Sequence, residues 1–413
     1  MDMALRSSRD LEVARLGLEV AEEQVSEAWG EVYPTIDLST TYSRNLSPAV
    51  SFLPAIIFDP TSSPGELIPI QFGADNVWAN SVSVEQPIFR ASAFIGVGAA
   101  GTFRAFQEEG VRSARHQVVT RVRVLYYELL LAQEQARLID RSVRRVVQSL
   151  EETRALNRAG LASDYDVLRL EVELANVGPQ FRLAQNQLAR TERQLVTELD
   201  LPSGTTVQVE GSLAEIDLEP GATNTEANAR ILSLVGVEVP ATVTMDDLDH
   251  LYEEARLTNA GVRQAGLNVE LRNTELRLSQ AEYLPQIALF GSYDIQAQQN
   301  GRADFFGAGR DRAYGRAAGL RVTLPIFSGL QRAARVDQRR VGLRSAEVSR
   351  SLAEDHLRDA LRTVLEDADE ARLRARSQRL AVEQARRGFE IASAQYREGL
   401  GSQLELTDAE VAL

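Results

Sequence analysis

The feature that most constrains the fold is an internal duplication. Residues 158–174 and 397–413 lie 239 positions apart and are identical at seven of 17 positions. The residues around Pro87 recur around Pro325 at an offset of 238, and those around Pro34 recur around Pro285 at an offset of 251. The offset changes only across a proline-rich connection, and loops tolerate insertions that paired strands and packed helices do not. The chain is therefore two copies of one structural plan.

Long stretches without proline predict long helices. No proline lies between Pro87 and Pro179 or after Pro325, and a proline inside a helix costs about 3 kcal/mol. From Val122 to Leu150 the apolar residues alternate in steps of three and four, with a mean of 3.5, which is the heptad pattern of a left-handed coiled coil. We predict a helix from about Thr102 to Arg158. Taken alone, this segment favours a soluble coiled-coil scaffold.

Four segments near prolines alternate polar and apolar residues with the period of a β-strand. We predict strands at about 33–44, 77–88, 284–295 and 314–325. The same pattern suits a soluble hairpin or a strand between lipid and water. Aromatic residues near the strand ends favour a membrane interface: Tyr33, Tyr42, Trp78, Phe89, Tyr293, Tyr314 and Phe327. Four strands leave two open edges, which lipid does not tolerate, so three chains with twelve strands would close one barrel.

Composition excludes several classes of function. The chain has no cysteine, its three histidines lie far apart, and its net charge is −14, which argues against nucleic acid as a partner. No apolar run reaches the ~18 residues of a transmembrane helix. We find no nucleophile with a base, no phosphate-binding loop and no metal cluster. We therefore assign no catalytic, cofactor-binding or metal-binding residue, and expect no enzyme and no cofactor.

The ordered motifs resemble the TolC-like outer-membrane efflux protein family over about residues 4–413. The motifs that carry the resemblance are Tyr33-Pro34-Thr35-Ile36, Tyr283-Leu284-Pro285-Gln286-Ile287, Leu324-Pro325-Ile326-Phe327-Ser328-Gly329, Gly160-Leu161-Ala162-Ser163 and Gly399-Leu400-Gly401-Ser402. The resemblance implies a mainly α-helical homotrimer with membrane β-strands. Its 12-stranded barrel would lie in outer-membrane lipid, above a coiled-coil tunnel in the periplasm.

The same resemblance implies an exit duct for a tripartite efflux pump or a type I secretion system. Its partners would be a periplasmic adaptor (membrane fusion) protein and, through the adaptor, an inner-membrane transporter. The alternative is the soluble coiled-coil scaffold, which gives no reason for strands repeated at matching places.

The expected domain boundaries follow the duplication. We predict a first efflux repeat at 1–202, a linker or equatorial segment at 203–250 with a short strand at Thr205–Val209, and a second repeat at 251–413. Gly178-Pro179 predicts a kink in the helix that returns from the first turn. The second repeat stops at Leu413, about 25 residues before the point at which the first one ends, so we expect a longer natural protein with a signal peptide.

The two repeated turns are the candidate functional site. Gly160 and Gly399 follow long helices, where a left-handed residue is needed, and Ser163 and Ser402 are placed to cap the next helix. By resemblance these turns lie at the periplasmic tip, and the adaptor docks on residues of both: Gly160, Leu161, Ser163, Gly399, Leu400 and Ser402. The alternative is a purely structural helix hairpin.

Acidic residues follow both turns. Glu405 and Asp408, spaced i, i+3, lie on one helix face and match the family's periplasmic aperture, where three chains would gather six carboxylates. Asp166 and Tyr396 match the latch that closes the tip. The family's latch arginine is replaced by Gly401, and Arg397 or Arg169 is a candidate substitute. The alternative for these charges is a solvated helix face.

Overall fold

The computed structural model describes residues 1–47, 49–63, 65–71, 73–202, 204–211, 213, 245–305 and 309–412. Its helices are α1 (Asp2–Ser7), α2 (Arg9–Gly30), α3 (Ala91–Arg158), α4 (Asp164–Glu198), α5 (Leu248–Thr258), α6 (Ala260–Ala281), α7 (Gln331–Arg397) and α8 (Gln403–Ala412). Its strands are β1 (Thr35–Arg44), β2 (Val50–Pro54), β3 (Leu67–Gln71), β4 (Asn76–Phe89), β5 (Gln286–Gln299) and β6 (Arg312–Thr323). Short 3₁₀ turns cover Ala55–Ile57, Met245–Asp247 and Gly309–Asp311.

The two longest helices, α3 and α7, have 68 and 67 residues and occupy the proline-free stretches. The heptad seam of α3 is buried or half-buried along its length, which confirms the predicted coiled-coil face. The helix begins at Ala91, 11 residues before the predicted start at Thr102. Three glycines in that first segment each oppose helix formation by about 1 kcal/mol. The sequence pattern therefore predicted a helix shorter than the one observed.

Four strands form one antiparallel sheet in the order β1-β4-β5-β6. Ile36 pairs with Val84, Val84 with Gly291, and Gly291 with Ala318, which defines the register across the sheet. Within this sheet β1 and β6 each have one unpaired edge. All four predicted strands are present, and the last lies two residues earlier than expected, at Arg312–Thr323.

The register sorts the sheet into an apolar face and a polar face. The apolar face carries Ile36, Leu38, Tyr42, Trp78, Val82, Val84, Leu289, Tyr293, Ile295, Tyr314, Leu320 and Val322. The polar face carries Thr35, Asp37, Ser39, Thr41, Ser81, Ser83, Glu85, Ser292, Asp294, Gln296 and Arg321. Ile36 and Leu38 are 71% and 72% exposed. One apolar and one polar face is the arrangement of a strand with lipid on one side and water on the other.

Three local expectations need correction or extension. The connection between β1 and β4 is not plain loop, because β2 and β3 pair within it as a second hairpin. The predicted strand at Thr205–Val209 is absent: the Val207 backbone N–H donates to the Glu192 carboxylate at 3.1 Å instead of to a strand partner. Helix α4 continues through Pro179 from Asp164 to Glu198, so Gly178-Pro179 does not end the helix, and the kink stays a prediction. Most of the linker predicted at 203–250 lies outside the described residues.

The chain forms two compact units, each built from both repeats. The first comprises Met1–Leu18, Gln107–Ala265 and Ser349–Leu413, and its core includes Leu11, Val118, Leu129 and Leu195. The second comprises Glu19–Phe106 and Gly266–Val348 and contains the four-stranded sheet. None of the described helices combines the length and hydropathy needed to cross a membrane.

Candidate functional site: the paired helix turns

Both long helices end in the same left-handed turn. Gly160 and Gly399 have φ of 74° and 71°. Residues with a Cβ rarely adopt this backbone conformation. The Leu161 N–H donates to the Leu156 carbonyl at 2.9 Å, and the Leu400 N–H donates to the Gln395 carbonyl at 2.9 Å. The Gly160 N–H also donates to the Asn157 carbonyl at 2.9 Å and the Gly399 N–H to the Tyr396 carbonyl at 3.1 Å, so both turns are Schellman motifs. The structure confirms the predicted conformation of both glycines.

Both turns also begin the next helix in the same way. The Ser163 N–H donates to the Asp166 carboxylate at 3.0 Å, and the Asp166 N–H donates to Ser163 Oγ at 3.2 Å. In the second turn, the Ser402 N–H donates to Glu405 at 2.9 Å and the Glu405 N–H donates to Ser402 Oγ at 3.2 Å. These are reciprocal capping boxes, so Glu405 holds the start of α8 as well as carrying charge. Hydrogen bonds from Ser163 lower the pKa of Asp166, and the charge of Arg169 lowers it slightly further.

The helices that follow the two turns are joined by an ion pair. Arg169 lies on α4 and Asp408 on α8, and the guanidinium Nη2 is 3.4 Å from the carboxylate Oδ1. Asp408 is 68% exposed at its side chain. Of the two candidate substitutes for the family's latch arginine, Arg169 is therefore the one that contacts a predicted aperture residue.

Tyr396, one of the two predicted latch residues, shares a side-chain hydrogen bond with Thr153 of α3. Burial is the largest cause of the raised pKa of the Tyr396 hydroxyl, and the negative charges of Asp166 and Glu152 raise it further. A hydrogen bond with the buried Thr153 acts in the opposite direction. The fold thus brings Tyr396 of the second repeat against α3 of the first repeat.

Gly401, the position at which the resemblance predicts a latch arginine to be replaced, lies in a tight turn. A Cβ at this position would lie 3.1 Å from the Gln395 Cβ and 3.3 Å from the Tyr396 nitrogen. The Gly401 N–H also donates to the Gln395 carbonyl at 3.1 Å. A larger residue in this conformation would therefore have to displace its neighbours by a few tenths of an ångström.

A second charged contact beside the turns corresponds to no pattern in the sequence. Glu410 on α8 lies against α3, 3.7 Å from the Arg145 guanidinium, with its side chain 10% exposed. Burial raises the pKa of Glu410, which the charge of Arg145 and a hydrogen bond with Ser149 partly oppose. Only the packing of α8 on α3 reveals this pair. Among the described residues, no group of histidine, aspartate and glutamate is arranged to hold a metal ion.

A family model described as "Outer membrane efflux protein" matches residues 1–199 and 251–413. The chain belongs to the outer membrane efflux protein family. The family's channels are outer-membrane proteins with a periplasmic helical tunnel and are not enzymes, so the scaffold alternative is wrong. TolC-like channels are trimeric and work in general with adaptor proteins and inner-membrane transporters.

Individual relatives agree with membership of this family. The outer membrane protein TolC of Vibrio cholerae serotype O1 is 22% identical over 338 residues, which cover 79% of this chain and 69% of that protein. Among solved structures, a membrane protein of Pseudomonas aeruginosa has a TM-score of 0.73 at 18% identity. The match covers all of this chain and 85% of the Pseudomonas chain. VceC of Vibrio cholerae has a TM-score of 0.71 at 17% identity, covering all of this chain and 88% of its own. At these identities the structures support the efflux-protein fold alone.

Proposed function

We propose that this efflux protein is the homotrimeric exit duct of a tripartite efflux pump, connected through a periplasmic adaptor to an inner-membrane transporter. The observation that carries the proposal is the unpaired state of β1 and β6 in a sheet with an exposed apolar face. Such edges need partners in lipid, and three copies of four strands close a 12-stranded barrel.

Helix α7 also favours several copies. Ala346 is its one buried residue in the described chain, while large apolar side chains along one face of it are exposed: Val341, Val348, Leu352, Leu373, Leu380 and Ile391. Helices in proteins derive most of their stability from packing an apolar face. Neighbouring copies would cover this face and continue the barrel as a helical tunnel.

The two repeated turns supply a docking surface for the adaptor. Leu161 and Leu400 occupy equivalent positions directly after the left-handed glycines and are 76% and 83% exposed. We assign adaptor docking to these leucines with Gly160, Ser163, Gly399 and Ser402, which fix the shape of the turns. An apolar tip on a rigid backbone is suited to a protein partner.

The helices beyond the turns supply the aperture and its latch. In a trimer, Glu405 and Asp408 of three copies would face one axis. Confined carboxylates favour cations. Asp166 and Tyr396 would stabilise the closed state of the tip. Arg169 would replace the family's latch arginine by pairing with Asp408.

Deleting the gene in its native host tests the role and separates the two transport systems. An efflux duct predicts raised intracellular accumulation of small toxic compounds with secreted proteins unchanged, and the intact gene supplied in trans restores export. Loss of a secreted protein with unchanged accumulation would instead assign the duct to type I secretion. No change in either would contradict the proposed function.

A further inference from the structure

The two repeats build their main β-hairpins in the same register. In the first repeat, Ile36 of β1 pairs with Val84 of β4. In the second repeat, Ile287 of β5 pairs with Val322 of β6. These two pairs are related by the offsets of 251 and 238 that define the duplication. Strand β5 is therefore the structural equivalent of β1, and β6 is the equivalent of β4, residue by residue.

The two hairpins meet inside the chain where β4 pairs with β5, which we call the internal seam. Strand β1 pairs with β4 only as far as Glu85. Beyond that point β4 continues to Phe89, which lies opposite Ile287 of β5. Residues 86–89 therefore belong to a strand through their pairing with β5.

The same segment of the second repeat has no strand beside it. Strand β6 ends at Thr323, the equivalent of Glu85, and residues 324–327, the equivalents of 86–89, lie outside the strands. Among the described residues no strand follows β6. The difference between the two repeats is therefore the missing neighbour rather than the local sequence, because both segments contain the motif Pro-Ile-Phe.

Side-chain exposure shows the same missing neighbour at both free edges of the sheet. Phe327, after β6, is 79% exposed, whereas its equivalent Phe89 is 37% exposed. On the opposite edge Ile36 of β1 is exposed, whereas its equivalent Ile287 of β5 is half-buried. Each edge thus lacks the cover that the internal seam gives to its equivalent.

The free edge of β1 has the residues needed to cover the free edge of β6. Leu38 and Tyr42 of β1 stand where β5 has Leu289 and Tyr293, so β1 repeats the apolar face that β5 places beside β4. Lipid cannot supply the hydrogen bonds that an open strand edge requires. A slip of one residue would turn the apolar side chains to the wrong face. A second copy of this chain therefore fits the edge of β6 in a defined register.

We propose that β6 of one copy pairs with β1 of the next copy in the register of the internal seam. Because Val84 lies opposite Gly291 there, the repeat offsets place Val322 opposite Thr40. They also place Phe327 opposite Ile36, so residues 324–327 extend β6 when the copies assemble. This inference rests on the proposed trimeric barrel and adds the alignment of its strands, which sets strand tilt and barrel width.

Disulfide formation in the full-length protein in outer membranes tests this register, because the chain has no native cysteine. Thr40→Cys/Val322→Cys and Leu38→Cys/Leu324→Cys should each give covalent species of three chains, since facing residues of antiparallel strands have Cβ atoms about 5 Å apart. The matched control is Thr40→Cys/Ala318→Cys, in which the second cysteine lies about 13 Å further along β6. That distance exceeds the reach of a disulfide, so the control should leave most chains uncrosslinked.

Hydrogen exchange of the wild-type trimer gives a second readout that needs no substitution. Backbone N–H groups of residues 324–327 should be protected to the same degree as those of residues 86–89, because strand pairing slows exchange. Rapid exchange of 324–327 with slow exchange of 86–89 would overturn the added strand pairing, including the case in which the cysteine variants fail to assemble.

The crosslinking outcomes separate the register from the trimer. Three-chain species with Ala318→Cys but not with Val322→Cys, each paired with Thr40→Cys, would overturn the register and leave the proposed duct intact. The absence of three-chain species with a cysteine at any position from Arg312 to Phe327, or a covalent species with a different protein, would overturn both.

Discussion

Arg169 and Asp408 occupy the same position in the two repeats, 239 residues apart, and form an ion pair at 3.4 Å. The fold therefore brings the second helical turns of α4 and α8 together. An exposed pair of this kind contributes at most about 1 kcal/mol to stability. In a narrow channel the pair would have a larger effect on the net charge of the aperture, because Arg169 offsets one of the two carboxylates assigned to it.

The aperture assignment predicts a change in cation block. The double variant Glu405→Gln/Asp408→Asn should lose most of the block by trivalent cations in single-channel recordings, while trimer yield is unchanged. Glutamine retains the capping function at this position, so the helix start is preserved. Arg169→Gln should strengthen the block by leaving Asp408 unopposed. Wild-type block in the double variant would remove both carboxylates from the aperture and make Asp164 or Asp166 the next candidate.

Substituting the glycine of either left-handed turn should strain the backbone without causing a steric clash. Gly160→Val or Gly399→Val should strain the turn by about 1–2 kcal/mol, although a Cβ at either position meets no atom within 4 Å. We expect weaker adaptor crosslinking with normal trimer yield. Asparagine tolerates this conformation, so Gly160→Asn should recover most of the crosslinking. Gly388→Ala, within α7, is the matched helix control. Unchanged crosslinking in both valine variants would show that the turns do not dock the adaptor.

The first capping box predicts a titration shift. Because Ser163 lowers the pKa of Asp166, the folded carboxylate stays ionised to a lower pH than the unfolded one. The stabilisation by the cap is complete above the ordinary value of 3.8 and is lost as pH falls through the lower folded pKa. In Ser163→Ala the carboxyl resonance of Asp166, followed by NMR in labelled trimer, should titrate nearer 3.8, whereas Ser163→Thr should resemble wild type. The same titration midpoint in all three proteins would contradict the role of Ser163.

The buried Glu410 predicts the opposite dependence on pH. Its pKa is raised, so the folded chain keeps this proton to a higher pH than the unfolded chain. Stability therefore falls as pH rises from about 4.5 through the folded pKa, and stays lower above it. Glu410→Gln should raise the thermal midpoint at neutral pH by about 2 °C, with a smaller gain below pH 4.5. Arg145→Gln should lower the midpoint at neutral pH. A loss of stability in Glu410→Gln would show that the Arg145 contact outweighs burial.

The architecture was predictable where a pattern repeats along the chain. The heptads of α3, the alternating strands and the two glycine turns each follow local periodicity, and the duplication supported each assignment with a second copy. The capping roles of Ser163 and Ser402 followed from their distance to the helix start. Hairpin β2–β3 was missed because its prolines disguise the strand pattern, and the strand expected at Thr205–Val209 failed because Glu192 on α4 takes its backbone hydrogen bond.

The site was predictable as a set of residues but not as a set of contacts. Sequence spacing placed Glu405 and Asp408 on one helix face, yet only the fold shows that Glu405 is a cap and that Asp408 pairs with Arg169. Arg145 and Glu410 meet across two helices, and no spacing rule connects such residues. Contacts between distant segments depend on how helices pack, which a single sequence does not encode as a local pattern.

Cysteine crosslinking between β1 and β6 of different copies tests the proposed trimeric duct most directly. The chain has no native cysteine, so a pair formed by Thr40→Cys with a cysteine scanned along β6, from Tyr314 to Thr323, reports only on the introduced residues. The proposed barrel predicts that oxidation of the full-length protein in outer membranes gives a covalent species of three chains and no larger one. Chains that remain monomeric at every scanned position, or a ladder extending beyond three, would contradict it.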